Sequence, residues 1–191
     1  MLMDMLGWFS GLDSFLLPCH ENRIMKKEYS KVLKKVFKEA FKERVAGGSL
    51  WTQKSEYIFP GEVVYSLGEY GDARVFVILI PSPKEDKFTV EIAWSRNERF
   101  PQLSVRPNDM MANVETAEEY SVRLPRLVDG SDGYWSVPKK TYSDPVEAIM
   151  ADMQKPTTEE ALVVLKPLVD SCVDKILECG IPYVEKVLGA K

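Results

Sequence analysis

The segment RVFVILIPSPKEDKFTVEIAWS, Arg74 to Ser95, constrains the fold more than any other part of the chain. Val75 to Ile80 is apolar at every position, which is the composition of an inner strand covered on both faces. The second half alternates: Phe88, Val90, Ile92 and Trp94 share one face, and Thr89, Glu91, Ala93 and Ser95 share the other. Period two therefore predicts a strand with one dry side and places Trp94 in the core. PSPKED between them carries two prolines and three charges, as an exposed hairpin end does, and so short a connection joins antiparallel neighbours. Any fold built on this pair has to supply cover for both faces of Val75 to Ile80.

One cover is legible upstream. From Lys26 to Ala46, Tyr29, Val32, Leu33, Val36, Phe37, Ala40 and Phe41 recur at helical spacing and form a single apolar face. Gly47 and Gly48 end the helix, because glycine readily takes the left-handed conformation of a C-terminal cap. The remaining strands are predicted at Leu50 to Phe59, Glu62 to Leu67, Tyr120 to Leu124 and Tyr134 to Val137, between Gly-, Pro- and Asp-rich turns.

The last quarter returns to helix. Asp144 is an N-cap with Pro145 at the first helical position and Glu147 three residues after the cap, and Thr157 with Glu160 forms a second capping box. Pro167 is predicted to break or kink the helix that follows, since it lacks the amide proton. Val169, Cys172, Val173, Ile176 and Leu177 then resume helical spacing up to Gly180 and Pro182. The expected architecture is one α+β domain over 1–191: an apolar N-terminal segment (1–24), a basic amphipathic helix (26–46), an antiparallel sheet of about five or six strands (50–138), and C-terminal helices packed on the sheet (144–188).

Composition bounds function. A chain of 191 residues, 45% apolar and 28% charged, is of ordinary globular make-up, and its net charge of −4 argues against a dedicated nucleic-acid binder. Cys19, Cys172 and Cys179 are too few and odd in number for a disulfide framework, which points to a reducing compartment and a cytoplasmic protein. The opening MLMDMLGWFSGLDSFLLPCHENRIM lacks a basic n-region and carries Asp4 and Asp13 within its apolar run, so neither signal peptide nor membrane span fits. It reads as an amphipathic segment covering a core edge, or as residues preceding a true start nearer Met25.

Catalytic patterns are not assembled. The one histidine, His20, adjoins Cys19, and backbone neighbours rarely face each other. No chelating pair joins the cysteines, so no metal or cofactor is expected. Cys172 and Cys179 read as small buried apolar residues. DGSDG, Asp129 to Gly133, reads as a tight surface turn without the closing glutamate of a calcium loop. Glu115, Glu118, Glu119, Asp129 and Asp132 supply carboxylates, and a small hydrolase or nuclease using them with Arg96 or Arg99 as anion stabiliser is one alternative function.

Charge is segregated. Lys26 to Arg44 holds seven lysines and one arginine against three glutamates, a local charge of +5 within an acidic chain. Lysines spaced by four repel one another by a few tenths of a kcal/mol per pair, so the stripe faces either water or an anionic counter-surface. Lys31, Lys35 and Lys38 are its candidate contact residues, with another protein as the expected partner and nucleic acid as a further alternative. After Trp94 the chain reads SRNERFP. Arg96, Arg99 and the later Trp135 are candidate contacts too, because arginine and aromatic residues are enriched at protein interfaces.

FTVEIAWSRNERFP, with the preceding basic helix and apolar strand and the later RLPRLVDGSDGYWSV, resembles a pattern of small bacterial helix-plus-antiparallel-sheet domains. That pattern reads F-T-V-E-L-x-W-S, then R-F-P, then a W-W or Y-W strand. Some of those domains resemble immunity proteins encoded beside polymorphic toxins. The similarity spans Lys26 to Tyr142 and implies a non-enzymatic bacterial domain, with no catalytic residue carried across. The sequence leaves the oligomeric state open.

Overall fold

The computed structural model describes residues 27–82, 85–102, 114–139 and 141–189. The expectations for residues 1–24, for Cys19 and His20, and for part of the PSPKED turn lie outside the described residues.

Helix α1 (Lys27–Arg44) buries Val32, Leu33, Val36, Phe37, Ala40 and Phe41 along the anticipated face. Gly47, at φ 73°, turns the chain toward β1 (Ser49–Leu50). Strands β2 (Val63–Tyr70), β3 (Ala73–Pro81), β4 (Lys87–Ser95) and β5 (Glu119–Arg123) follow, and β1 to β5 pair antiparallel in chain order. After β5 a short helix, α2 (Leu124–Asp129), leads to β6 (Trp135–Ser136). β6 returns to the edge of β4 that β5 occupies: Glu91 to Ser95 pair with β5, and Lys87 and Phe88 pair with β6. Helices α3 (Pro145–Met153), α4 (Thr158–Lys175) and α5 (Ile181–Leu188) complete an α+β order.

Alternation along the inner strands divides the apolar residues between two cores. On one face Tyr65, Val75, Val77, Leu79, Phe88, Val90, Ile92 and Trp94 pack against α1, α4 and α5. Phe37 and Phe41 lie 5.4 and 4.6 Å from the Tyr65 ring. On the other face Val64, Phe76, Ile78 and Ala93 form a smaller core with Phe100, flanked by Trp51, Tyr57 and Ile58. The apolar run in β3 is thus covered on both sides, helices on one and loops on the other.

Those loops correct the strand expected at Leu50 to Phe59. Only Ser49–Leu50 is strand. The Trp51 amide still donates to Val64 O at 2.9 Å, and the chain then folds over the second face, where Trp51 meets Phe76 edge-on at 5.1 Å. β4 also departs from its one-dry-side expectation, since Thr89, Glu91 and Ser95 on its polar side are all buried.

The C-terminal helices lie within the expected 144–188 span but correct one local expectation. α4 runs through Pro167 without ending; Val163, whose carbonyl loses its donor there, is 74% exposed and lies on the wet side. At Gly180 the helix is continuous as well, because a π turn at Ile176–Gly180 joins α4 directly to α5. The reason lies in the spacing of the buried residues, Ala161, Leu165, Val169, Cys172, Ile176, Gly180, Val184 and Leu188. At roughly 100° per residue, Leu188 of a regular helix would point half a turn away from Ala161. The extra residue of a π turn withdraws roughly 100° and returns Val184 and Leu188 to the sheet. Gly180 lets this turn approach closely, since a Cβ there would lie 3.3 Å from Ile92 Cδ1 and 3.4 Å from Leu124 Cδ1.

Of the two expected capping boxes the second forms, with Thr157 and Glu160 exchanging both bonds. At Asp144 the N-cap itself forms, the carboxylate accepting from the Val146 amide at 2.8 Å. The two long helices are fastened at both ends: Thr158 Oγ1 donates to Glu28 Oε1 at 2.7 Å, and Arg44 donates to Asp170 O at 3.3 Å and pairs with Asp174. No helix among the described residues is long and apolar enough to cross a membrane.

Candidate interaction surface

With the apolar face of α1 committed to the core, its lysines have only the outer side to occupy. Lys27, Lys31, Lys35, Lys38 and Lys42 are all exposed. Their spacing of four, four, three and four keeps them within an arc of about 80° and along about 22 Å of helix. Lys31 stands 4.0 Å from Glu28, with three-quarters of its side chain in solvent. A pair so exposed contributes on the order of 0.5 kcal/mol and leaves the stripe strongly positive. Lys31, Lys35 and Lys38 are thus on one continuous line.

Arg96 and Arg99 lie elsewhere and are held by the protein itself. β4 ends at Ser95, whose Oγ accepts from the Asn97 amide at 3.1 Å, and Glu98 turns the chain at φ 54°. Arg96 Nε lies 2.9 Å from both oxygens of Asp72 in the β2–β3 turn, and its Nη1 donates to Ala117 O. Glu119 gathers the rest of the turn. Its Oε2 accepts from the Gln102 amide at 2.8 Å, while Oε1 accepts from Arg99 at 3.2 Å, Ser95 Oγ at 3.3 Å and Asn97 at 3.4 Å. Burial alone would raise this carboxyl, but the Gln102 amide and the Arg99 and Asn97 donors outweigh it and hold it below the usual carboxylate range. The strap so formed, residues 96–102, seats Phe100 5.4 Å from Phe76 in the second core.

A second polar network occupies the gap between β5 and β6. Glu91, only 2% exposed, lies opposite Arg123 in the β4–β5 register, and the guanidinium reaches it at 3.6 Å. Asp132 lies 3.6 Å from the same arginine and holds Arg126 in a two-pronged pair at 2.6 and 2.8 Å. The hydrogen bond from Arg126 pulls the Asp132 carboxyl down. Tyr134 sits between cations, 4.4 Å from Lys87 and 5.7 Å from Arg123. DGSDG is the anticipated turn: Gly130, at φ 80°, caps α2, and Asp129 accepts from the Ser131 amide at 2.9 Å. Its second aspartate also organises two arginines, which short-range spacing did not indicate. Trp135 is half-buried, stacked on Phe88 at 5.7 Å.

An open cleft of about 400 Å³ adjoins the second core beneath the 51–62 loop. It continues into a neighbouring one of about 350 Å³ where Trp51, Lys54 and Tyr57 face Arg99, Phe100 and Gln102. Sequence reasoning missed Trp51, Tyr57 and Lys54, having assigned that segment to a strand. The missed signal was Pro60–Gly61 and the polar run TQKSE, which suit a loop better than a sheet edge.

The expected contact residues therefore divide between two sides of the sheet. The lysine stripe faces outward from the helical layer, whereas Arg99 and Phe100 belong to the loop-covered face. Among the described residues no group of three or more His, Cys, Asp or Glu is arranged to hold a metal ion. Cys172 is fully buried, and burial pushes its thiol up. No protein-family model, curated protein or solved structure matches this chain.

Proposed function

We propose that the chain is a non-enzymatic protein-binding domain, immunity-like in mode, whose α1 stripe meets an acidic face of another protein. The observation that carries this reading is the confinement of five exposed lysines to one narrow arc on an acidic chain. Such segregation directs encounter and orientation more than it adds affinity. The arginines after β4 act in this reading as fasteners of the strap.

The test is a kinetic comparison of the wild type with the triple reversal K31E/K35E/K38E against a protein captured from the source cell. Wild-type association should slow as salt rises from 50 to 300 mM. The variant should associate about tenfold more slowly in dilute buffer, with a flatter salt dependence. Equal on-rates would refute the role of the stripe. Binding of a short DNA duplex or RNA in dilute salt, abolished by the same reversal, would move the reading to nucleic acid.

A further inference from the structure

α3 shows its apolar side to solvent. Val146, Ile149, Met150 and Met153 recur at i, i+3, i+4 and i+7, a single stripe, and they are 63, 62, 60 and 77% exposed. The helix has nine residues and makes little contact with the other described elements. A helix so short is marginal in water by itself, and its stability has to come from packing of its apolar face. A cap at Asp144 contributes only about 1 kcal/mol.

We propose that this stripe is the seat of the chain's own N-terminal segment, residues 5–16. Met5, Trp8, Phe9, Leu12, Phe15 and Leu16 recur in the sequence at i, i+3, i+4, i+7, i+10 and i+11, an apolar stripe of the same helical period as that on α3. Ser10, Asp13 and Ser14 fall between them, and Asp4 precedes them. The geometry of the chain favours the match. α1 begins at Lys27, and the 2.7 Å bond between Glu28 and Thr158 pins that start to the first turn of α4, just after α3. Residues 17–26 can span up to about 33 Å, and α3 is only about 14 Å long. A tether of that reach gives an effective concentration on the order of millimolar, which favours the chain's own segment over a second copy. A lipid surface fits poorly, since the exposed flank of α3 carries Asp144 and Glu147 and no lysine.

Oxidation of the native methionines reads the contact without altering α3. The full chain and the variant L12D/F15D are treated with dilute peroxide, and sulfoxide at Met150 and Met153 is timed by mass spectrometry. The cover predicts that both methionines oxidise at least fivefold more slowly in the wild type, independently of protein concentration and without vesicles. Equal rates in the two proteins would overturn the proposal. Protection that grows with protein concentration would assign the stripe to a second copy, and protection that needs phosphatidylglycerol vesicles would assign it to a membrane; either result also overturns it. Should L12D/F15D lose its thermal transition, the reciprocal variant I149D serves. Met5 should then oxidise faster than in the wild type, and an unchanged rate there would sink the idea equally.

Discussion

Replacing Glu119 tests whether the strap is held by one carboxylate. Glu119→Ala removes the acceptor of the Gln102 amide and of Arg99, Ser95 and Asn97. A hydrogen bond to a charged group contributes about 1.5–3 kcal/mol, but half-exposed Arg99 resolvates and adds well under 1 kcal/mol. With the 2.8 Å backbone bond dominant, the expected loss is about 2–3 kcal/mol, or roughly 4–12 °C in Tm for a chain of this size. Glu119→Gln keeps an acceptor and loses the charge, and should cost about 1 kcal/mol. The folded-state pKa of Glu119 lies below its unfolded value. Its contribution is therefore complete above the unfolded pKa and is lost as pH falls through the folded one. The gap between wild type and Glu119→Gln should begin to narrow as pH falls below the ordinary glutamate value, about 4.3, and should close only below the lowered folded-state pKa. Urea unfolding followed by tryptophan fluorescence at pH 7 and pH 3.5 measures both effects. A loss under about 0.5 kcal/mol for Glu119→Ala, or a gap that does not narrow in acid, would refute the assignment.

Two further outcomes follow from the geometry. Gly61 and Gly71 both have positive φ, 95° and 56°, but a Cβ on Gly61 meets nothing within 4 Å, whereas one on Gly71 would lie 2.2 Å from Leu188 O. Gly71→Ala should thus cost at least 2 kcal/mol more than about 1 kcal/mol for Gly61→Ala, as read from the difference in urea midpoints; equal costs would mean that backbone conformation alone decides. Thr157→Ala should cost about 1 kcal/mol by losing the reciprocal bonds with Glu160, and the first turn of α4 should show faster amide exchange while β4 does not.

Elements whose reason is local were legible in advance. β4 covers the stretch Phe88 to Ser95 whose alternation is read from the sequence, and α1 ends at Arg44, two residues short of the expected Ala46 and close to Gly47. α2 was missed although Pro125 and Gly130 bracket it, because six residues hold too little period to be heard. Passage through Pro167 depends on which side of the helix faces water, a tertiary fact. The burial of Glu91 depends on its register with Arg123, set by a strand far along the chain. Arg96 and Arg99 looked available because their acceptors, Asp72, Ala117 and Glu119, are distant in sequence and meet them only once the sheet has formed. The lysine stripe was visible from spacing alone, since a helix carries its own ruler.

The widened turn at Ile176–Gly180 sets local and global preference against each other. Removing Cys179 would let the isolated 158–188 peptide wind as regular α-helix through this turn, its ladder interrupted only where Pro167 and Pro182 lack an amide proton. Within the folded chain the same deletion would swing Val184 and Leu188 about 100° around the axis and carry them off the sheet. This rod is therefore intolerant of length change at a place where its secondary structure would not record the loss. A lineage of such chains should keep the residue count between Ala161 and Leu188 fixed even where the residues themselves drift.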